Sequence, residues 1–535
     1  MTLLNLSVFL GMNAQWASKA TGAETIYINY GPLEFSLPIE ALEIYLEEGI
    51  VSPDLASYAN LLNEQQLEQL REALITSADL SPVAVSQFLY SPQGEVLLRQ
   101  VGEVVQTTAR QSGFYALRSA LILAAADEQG LTALNVLKKF PTQGIRINTG
   151  RGFEIFEDVN EVIVETGEIT AVVQQESFDE VLAASVLNFT DLPDLRQPGP
   201  ISSRRQSFLI TDARRNRRFP VDLYLPQLPE TQQLPVVVIS HGLGSDRSTF
   251  AYFARHLASY GYAVAVPEHP GSNTEQLEAL LEGVANVVTP PRELIDRPLD
   301  ITFLLNQLES LYGERLNLQQ VGVIGQSFGG YTALALAGAD LNFERLQTEC
   351  QSLENALNLS LLLQCIALEL PQAQYNLRDE RIAAAIAINP LTSRVFGQEQ
   401  LASIDIPVMI VSGSADAVTP ALPEQIRPFT WLGTPDKYLV LMQGGTHFST
   451  LDESESAGAV PIPAAAVGPA PELAQEYIQA LGLAFFSTYT AGEPDYQIYL
   501  SASYAQSLSQ EPLPLYLVRS LPESISRSNG EREPN

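Results

Sequence analysis

The chain is poor in the residues that hold metals. Its 535 residues include two cysteines, Cys350 and Cys365, and four histidines, His241, His256, His269 and His447. The histidines show no H-E-x-x-H spacing, and no Cys/His cluster exists, which excludes a zinc site. Positive charge is scarce as well: 30 Lys and Arg stand against 62 Asp and Glu, a net charge of −32. Phosphate recognition needs a basic face, so nucleic acid is excluded as a partner, as is docking on anionic lipid by charge alone. No run reaches the ~20 apolar residues that span a bilayer, so no transmembrane segment is expected. The one basic concentration, Arg204, Arg205, Arg214, Arg215, Arg217 and Arg218, flanks an apparent hairpin formed by 206–212 and 219–225. It reads as a solvated hairpin tip, with an anion or partner contact as the alternative.

The chain is too long for one ordinary core, so two domains or one domain with large insertions is expected. Residues 1–23, with an apolar stretch at 3–11 and small-x-Ala sites behind it, read as a signal peptide, whole or truncated, that lacks a basic start, with a short amphipathic lead-in as the alternative. That implies export to the periplasm or beyond, with the cytoplasm as the alternative. Residues 24–200 form a mainly helical N-terminal domain, from apolar residues spaced three and four apart over 38–48, 53–62, 64–75, 83–89 and 113–126. Ser52-Pro53, Asn63 and Ser81-Pro82 supply start signals. Strand-like fragments are expected at 144–148, 162–165 and 169–173. Pro193, Pro198 and Pro200 mark 192–203 as a linker.

From 201 to 492 the pattern changes. Val/Ile-rich runs at 236–240, 263–267, 321–324, 382–388, 408–412 and 438–442 alternate with helical stretches. This predicts an α/β fold, a mostly parallel sheet with helices on both faces. Residues 340–381 interrupt the rhythm and read as a helical cap insertion. Its apolar stretch 357–370 is either a lid lining an acyl-accepting pocket or a helical hairpin packed on the core. The 14 residues between Cys350 and Cys365 could be closed by a disulfide worth ~3 kcal/mol if the protein is exported. In the cytosol the same pair would be two buried thiols. Residues 493–535 read as a C-terminal extension.

Chemistry enters at VGVIGQSFGG, residues 321–330. A G-x-S-x-G between a β-rich run and a helix-forming YTALALAGA is the nucleophile elbow of α/β-hydrolases, and it makes Ser327 the candidate nucleophile. Such a serine needs a base and an orienting acid, in the chain order Ser, Asp or Glu, His. The only histidine after Ser327 is His447, in a Gly-rich loop behind the run 438–442. Asp416 follows the run 408–412 in GSADAVTP; Asp405 and Asp436 are rivals that follow no strand. For the oxyanion hole, the N–H of Phe328 is one donor and that of Leu243, in SHGLG, the other, with Gly242 as competitor. His241 is expected to anchor that loop. Gly242, His269 and Gln326 are candidate substrate contacts, with a structural hydrogen bond as the other reading of His269, and His256 falls on the polar side of its helix and reads as inert.

Residues 236–273 (VVVISHGLGSDRSTFAYFARHLASYGYAVAVPEHPGSN), together with GQSFGG, resemble the type II platelet-activating-factor acetylhydrolases and their dienelactone-hydrolase-like relatives. The resemblance runs over about 207–488. It implies an esterase that cleaves short or oxidised acyl chains without calcium, although relatives often carry His where this chain has Gln326. Residues 23–43 resemble a helical region of unknown function that precedes such domains, typically behind a signal peptide, in a mainly cyanobacterial family. The expected activity is a serine hydrolase acting on carboxylic esters, lipid-like or small, with no metal or organic cofactor. A peptidase or amidase on the same fold, or a non-catalytic binding module, is the alternative. No partner of the N-terminal domain is legible.

Overall fold

A nine-stranded sheet carries the larger part of the chain. The computed structural model describes residues 22–30, 33–60, 62–78, 80–185, 188–351, 358–452 and 464–526. All but the last two residues of the leader expected at 1–23 lie outside that set. The chain divides into two units, Met1–Tyr90 with Gly94–Glu154 and Ser91–Gln93 with Ile155–Asn535.

In the first unit, helices Ile39–Glu48, Pro53–Ala59, Glu64–Ile75, Pro82–Tyr90 and Phe114–Ala125 stand where the periodicity predicts them. Asn63 and Gln66 close a capping box, each side chain bonded to the other's backbone N–H at 2.8 and 3.0 Å. A small sheet adds to the mainly helical expectation and includes the strand fragment expected at 144–148. Strands β1 (Thr25–Tyr30), β2 (Leu33–Pro38), β3 (Val105–Thr107) and β4 (Gly144–Ile147) lie in the order β2-β1-β4-β3. TIYINY alternates at period two and is rich in β-branched and aromatic residues, which favours a strand over a helix.

Thr149–Ala183 is a single helix of 35 residues, which overturns the strand fragments expected at 162–165 and 169–173. Thr170, Val173 and Ser177 are buried at helical spacing, whereas Val162, Ile163 and Val164 are exposed and meet no sheet. The division between the units falls inside this helix rather than at residue 200. Residues 192–202 of the expected linker are irregular, yet they form no free linker. The N–H groups of Gly199 and Ile201 donate to Ser259 Oγ and O at 2.7 and 3.1 Å, and Leu195 is buried.

That stretch corrects the placement of His256. It covers the outer face of the Ala251–Ser259 helix, and His256 is only 4% exposed. Burial lowers the imidazole from its ordinary 6.5 to about 4. A histidine depressed in the folded state contributes stability above its unfolded value and loses it as the pH falls toward the folded one. His256 alone is expected to cost about 3 kcal/mol of stability between pH 6.5 and pH 4. Thermal midpoints across that window should fall less steeply for His256→Gln; parallel curves would disprove the assignment.

The large sheet comprises β5 (Ser203–Asp212), β6 (Arg217–Pro226), β7 (Leu234–Ser240), β8 (Ala263–Pro267), β9 (Leu316–Gln326), β10 (Ile382–Ile388), β11 (Val408–Gly413), β12 (Lys437–Met442) and β13 (Leu515–Val518). Their order is β13-β12-β11-β10-β9-β7-β8-β6-β5. Strands β7 to β12 run parallel, while β5, β6 and β13 are antiparallel to their neighbours. Alternate residues face opposite layers. Val236 and Val238 pack with the Glu293–Tyr312 and Phe328–Ala337 helices, and Val237 and Ile239 with the Ala251–Ser259 and Pro471–Tyr489 helices. Because β13 pairs with β12, Leu515–Val518, within the extension expected from 493, complete the sheet.

Two further expectations resolve. The hairpin β5–β6 forms, but its arginines divide: Arg204, Arg205, Arg214 and Arg218 are exposed, while Arg215 and Arg217 turn inward onto the carboxylates of Glu293, Asp296 and Asp300. In the insertion, Cys350 and Cys365 are disulfide-bonded. Leu363, Ile366, Ala367 and Leu370 join the main core, so the core-packing reading holds for them; Leu357 lies outside the described residues. Among the described residues, no helix is long and apolar enough to cross a membrane.

Candidate active site

The strand order reverses between β7 and β9: β8 lies on one side of β7, and β9 crosses to the other. In open parallel sheets the crevice outside the strands' C-terminal ends at such a switch point is where ligands bind. The loop after β7 carries His241–Gly244, and the turn after β9 carries Ser327. Asp416 follows β11 and His447 follows β12, so every predicted catalytic residue stands at the same edge of the sheet. Asp405 and Asp436 immediately precede β11 and β12, at the opposite edge, which removes both rivals.

Ser327 sits at φ 56° and ψ −116°, a backbone conformation that side-chain-bearing residues rarely adopt. It is held there by its N–H, which donates to Ile388 O at 2.8 Å, and by its carbonyl, which accepts from Tyr331 N at 3.0 Å. The flanking glycines have the steric reason the motif implies. A side-chain carbon on Gly325 would lie 2.2 Å from Gly329 O, and one on Gly329 would lie 2.0 Å from Ser240 O.

His447 Nδ1 lies 2.7 Å from Asp416 Oδ2, with the Asp416 side chain fully buried. The carboxylate is over-determined: Oδ1 accepts from Val418 N and Thr419 N at 2.8 Å each, and Oδ2 from Thr419 Oγ1 at 2.8 Å. A carboxylate against Nδ1 assigns the ring proton to that nitrogen and leaves Nε2 as the acceptor. The two loops are stitched by backbone bonds, Ser414 N to Met442 O at 3.0 Å and Ala415 N to Gly445 O at 2.8 Å.

Gln326 couples the turn at Ser327 to the loop that carries His447. It is 2% exposed, and its Nε2 donates to His447 O at 3.0 Å. A side-chain carbon on Gly242 would meet Gln326 Oε1 at 2.4 Å, so the β7 loop packs against the same amide. Both residues, expected as substrate contacts, are therefore structural neighbours of one another. Asn389, just beyond β10, was not singled out from the sequence, yet its Oδ1 accepts from Gly413 N at 3.0 Å and its Nδ2 donates to Thr446 O at 3.1 Å. An Asn-Pro pair at the end of a buried strand was the signal available.

The β7 loop is anchored as expected. His241 is 1% exposed, with Nδ1 2.7 Å from Gly242 O and Nε2 accepting from His269 N at 3.0 Å. Burial, and then the Arg297 charge, hold its imidazole well below the ordinary range and keep it neutral. Among the described residues, the backbone N–H groups of Gly242, Leu243 and Phe328 donate to no protein acceptor, so both predicted donors and the competitor are free. Of the two readings of His269, the structure favours the structural hydrogen bond over the substrate contact. It is 0% exposed, and its ring nitrogens lie 3.0 Å from Asp300 Oδ2 and 3.0 Å from Ser240 Oγ, which leaves no polar atom for a ligand.

A mostly parallel sheet with this elbow at its switch point defines the second unit as an α/β-hydrolase fold. Comparison with known proteins agrees. A family model described as an alpha/beta hydrolase of unknown function matches residues 22–148, nearly all of the described first unit. A model of platelet-activating factor acetylhydrolase, isoform II, matches residues 206–276, from β5 to just beyond β8. Within the class, the chain is thus similar to the platelet-activating factor acetylhydrolases. The enzyme of that name from Cavia porcellus is 25% identical over 150 residues, which cover 21% of this chain and 34% of the relative.

Proposed function

We propose that the protein is a serine hydrolase acting on carboxylic esters. Ser327 Oγ attacks the carbonyl carbon while His447 Nε2 takes its proton. The oxyanion is held by the N–H groups of Leu243 and Phe328. His447 returns the proton to the leaving alcohol, which departs and leaves an acyl-Ser327 ester. A water deprotonated by the same nitrogen then attacks, and the acid leaves as Ser327 recovers its proton. Asp416 holds the ring in its working tautomer and stabilises the imidazolium. The chemistry requires no metal or organic cofactor, and the substrate is a lipid-like or small acyl ester. The observation that carries this reading is the bonded Asp416–His447 pair at the edge where the elbow presents Ser327. The disulfide Cys350–Cys365 supports export to an oxidising compartment.

A fluorophosphonate probe should label the folded protein at Ser327, and a p-nitrophenyl ester should be turned over faster than the anilide of the same acyl chain. Folded protein that stays unlabelled sinks the reading. Preference for the anilide would move the protein to the amidases.

A further inference from the structure

The inward arginines and His269 have no part in that chemistry, and both lead to Arg297. Arg297 lies in the Glu293–Tyr312 helix and is 0% exposed. A buried guanidinium is costly unless its donors are met, and here they are met by the walls of the candidate oxyanion hole. Nη2 donates to the carbonyl of His241 and, at 3.3 Å, to Ser240 Oγ. Nη1 donates to Ser272 Oγ at 2.9 Å, and Nε to Thr332 Oγ1 at 3.2 Å. Thr332 Oγ1 in turn donates to Phe328 O at 2.8 Å, and the guanidinium carbon lies 4.5 Å from the centre of the Phe328 ring.

We propose that Arg297 is a positioning residue for the oxyanion hole: one buried cation ties the β7 loop, which presents Leu243, to the helix start that presents Phe328. The inference rests on the serine-hydrolase reading of the site. A planar fork reaches several acceptors in fixed directions, which a lysine ammonium on a flexible stem cannot reproduce. The neighbours of Arg297 are themselves locked. Ser272 Oγ donates to Glu293 at 3.1 Å, and His269 bridges Ser240 Oγ to Asp300. Arg217 binds Glu293 and Asp300 through four bonds of 2.7 to 2.9 Å, and Arg215 reaches Asp300 at 2.9 Å. The two hairpin arginines thereby fix the carboxylates on which the partners of Arg297 hang.

The test measures kcat and KM on a p-nitrophenyl ester, with kcat expressed per site titrated by fluorophosphonate so that unfolded protein drops out. Misplacing an oxyanion donor should approach the cost of removing one, so Arg297→Met is expected to lower kcat by about 100-fold. KM should stay within about threefold, because the loss is confined to the transition state. Arg297→Lys should recover only part of the rate. Affinity for a trifluoromethyl ketone, whose adduct carries an oxyanion, should fall in step with kcat, while affinity for the matching unreactive amide stays unchanged. Variants that lose thermal stability but keep kcat per titrated site would overturn the proposal. If neither Arg297 variant folds, Thr332→Val decides: a several-fold loss of kcat supports the proposal, and an unchanged kcat overturns it. A wild type that neither labels nor turns over ester would instead refute the serine-hydrolase reading, and the positioning role with it.

Discussion

Ser327→Ala is expected to abolish turnover of the p-nitrophenyl ester, lowering kcat on the order of 10⁶-fold, because the nucleophile and its base act as a unit. The fold should not notice. Alanine at φ 56° meets the same backbone penalty as serine, and the bonds that hold the turn run from the main chain to Ile388 and Tyr331. The thermal midpoint should therefore match the wild type, and a non-cleaved substrate analogue should still bind. A variant that keeps more than a hundredth of the rate would show that Ser327 is not the nucleophile.

The second large effect belongs to Asp416→Asn, expected to lower kcat by about 10⁴-fold with little change in KM. The mechanism is a wrong tautomer. Val418 N and Thr419 N both donate to Oδ1, so the asparagine is held with its amide oxygen on them and its NH₂ toward His447. Nδ1 then accepts instead of donating, the ring proton moves to Nε2, and the base is lost. NMR of the His447 ring nitrogens checks the tautomer directly. An Asp416→Asn enzyme within tenfold of wild type would mean that another group orients the histidine.

The candidate catalytic edge was legible because its signals are local. Gly325–Gly329 encodes a turn in five residues, His447 is the only histidine downstream, and Asp416 directly follows an apolar strand. What stayed hidden depends on segments that meet only in the fold. The polar face of the Ala251–Ser259 helix looked solvated because nothing near His256 in sequence announces the stretch 192–203 that lies over it. Arg215 and Arg217 looked solvated because the carboxylates of Asp296 and Asp300 that draw them inward come about 80 residues later, on a helix. Val162–Val164 looked like a strand because β-branching is a weak preference, easily overridden within a long helix. β13 was missed for the opposite reason: four residues with one partner strand carry too little pattern to stand out.

The turn at Ser327 has a bearing on how this protein would behave in a laboratory selection. Holding a side chain at that backbone angle costs about 1–3 kcal/mol, a cost glycine would escape. A screen that rewards heat resistance alone would drive position 327 toward glycine and so discard the enzyme while improving the scaffold. Campaigns to harden the fold need a turnover step in every round.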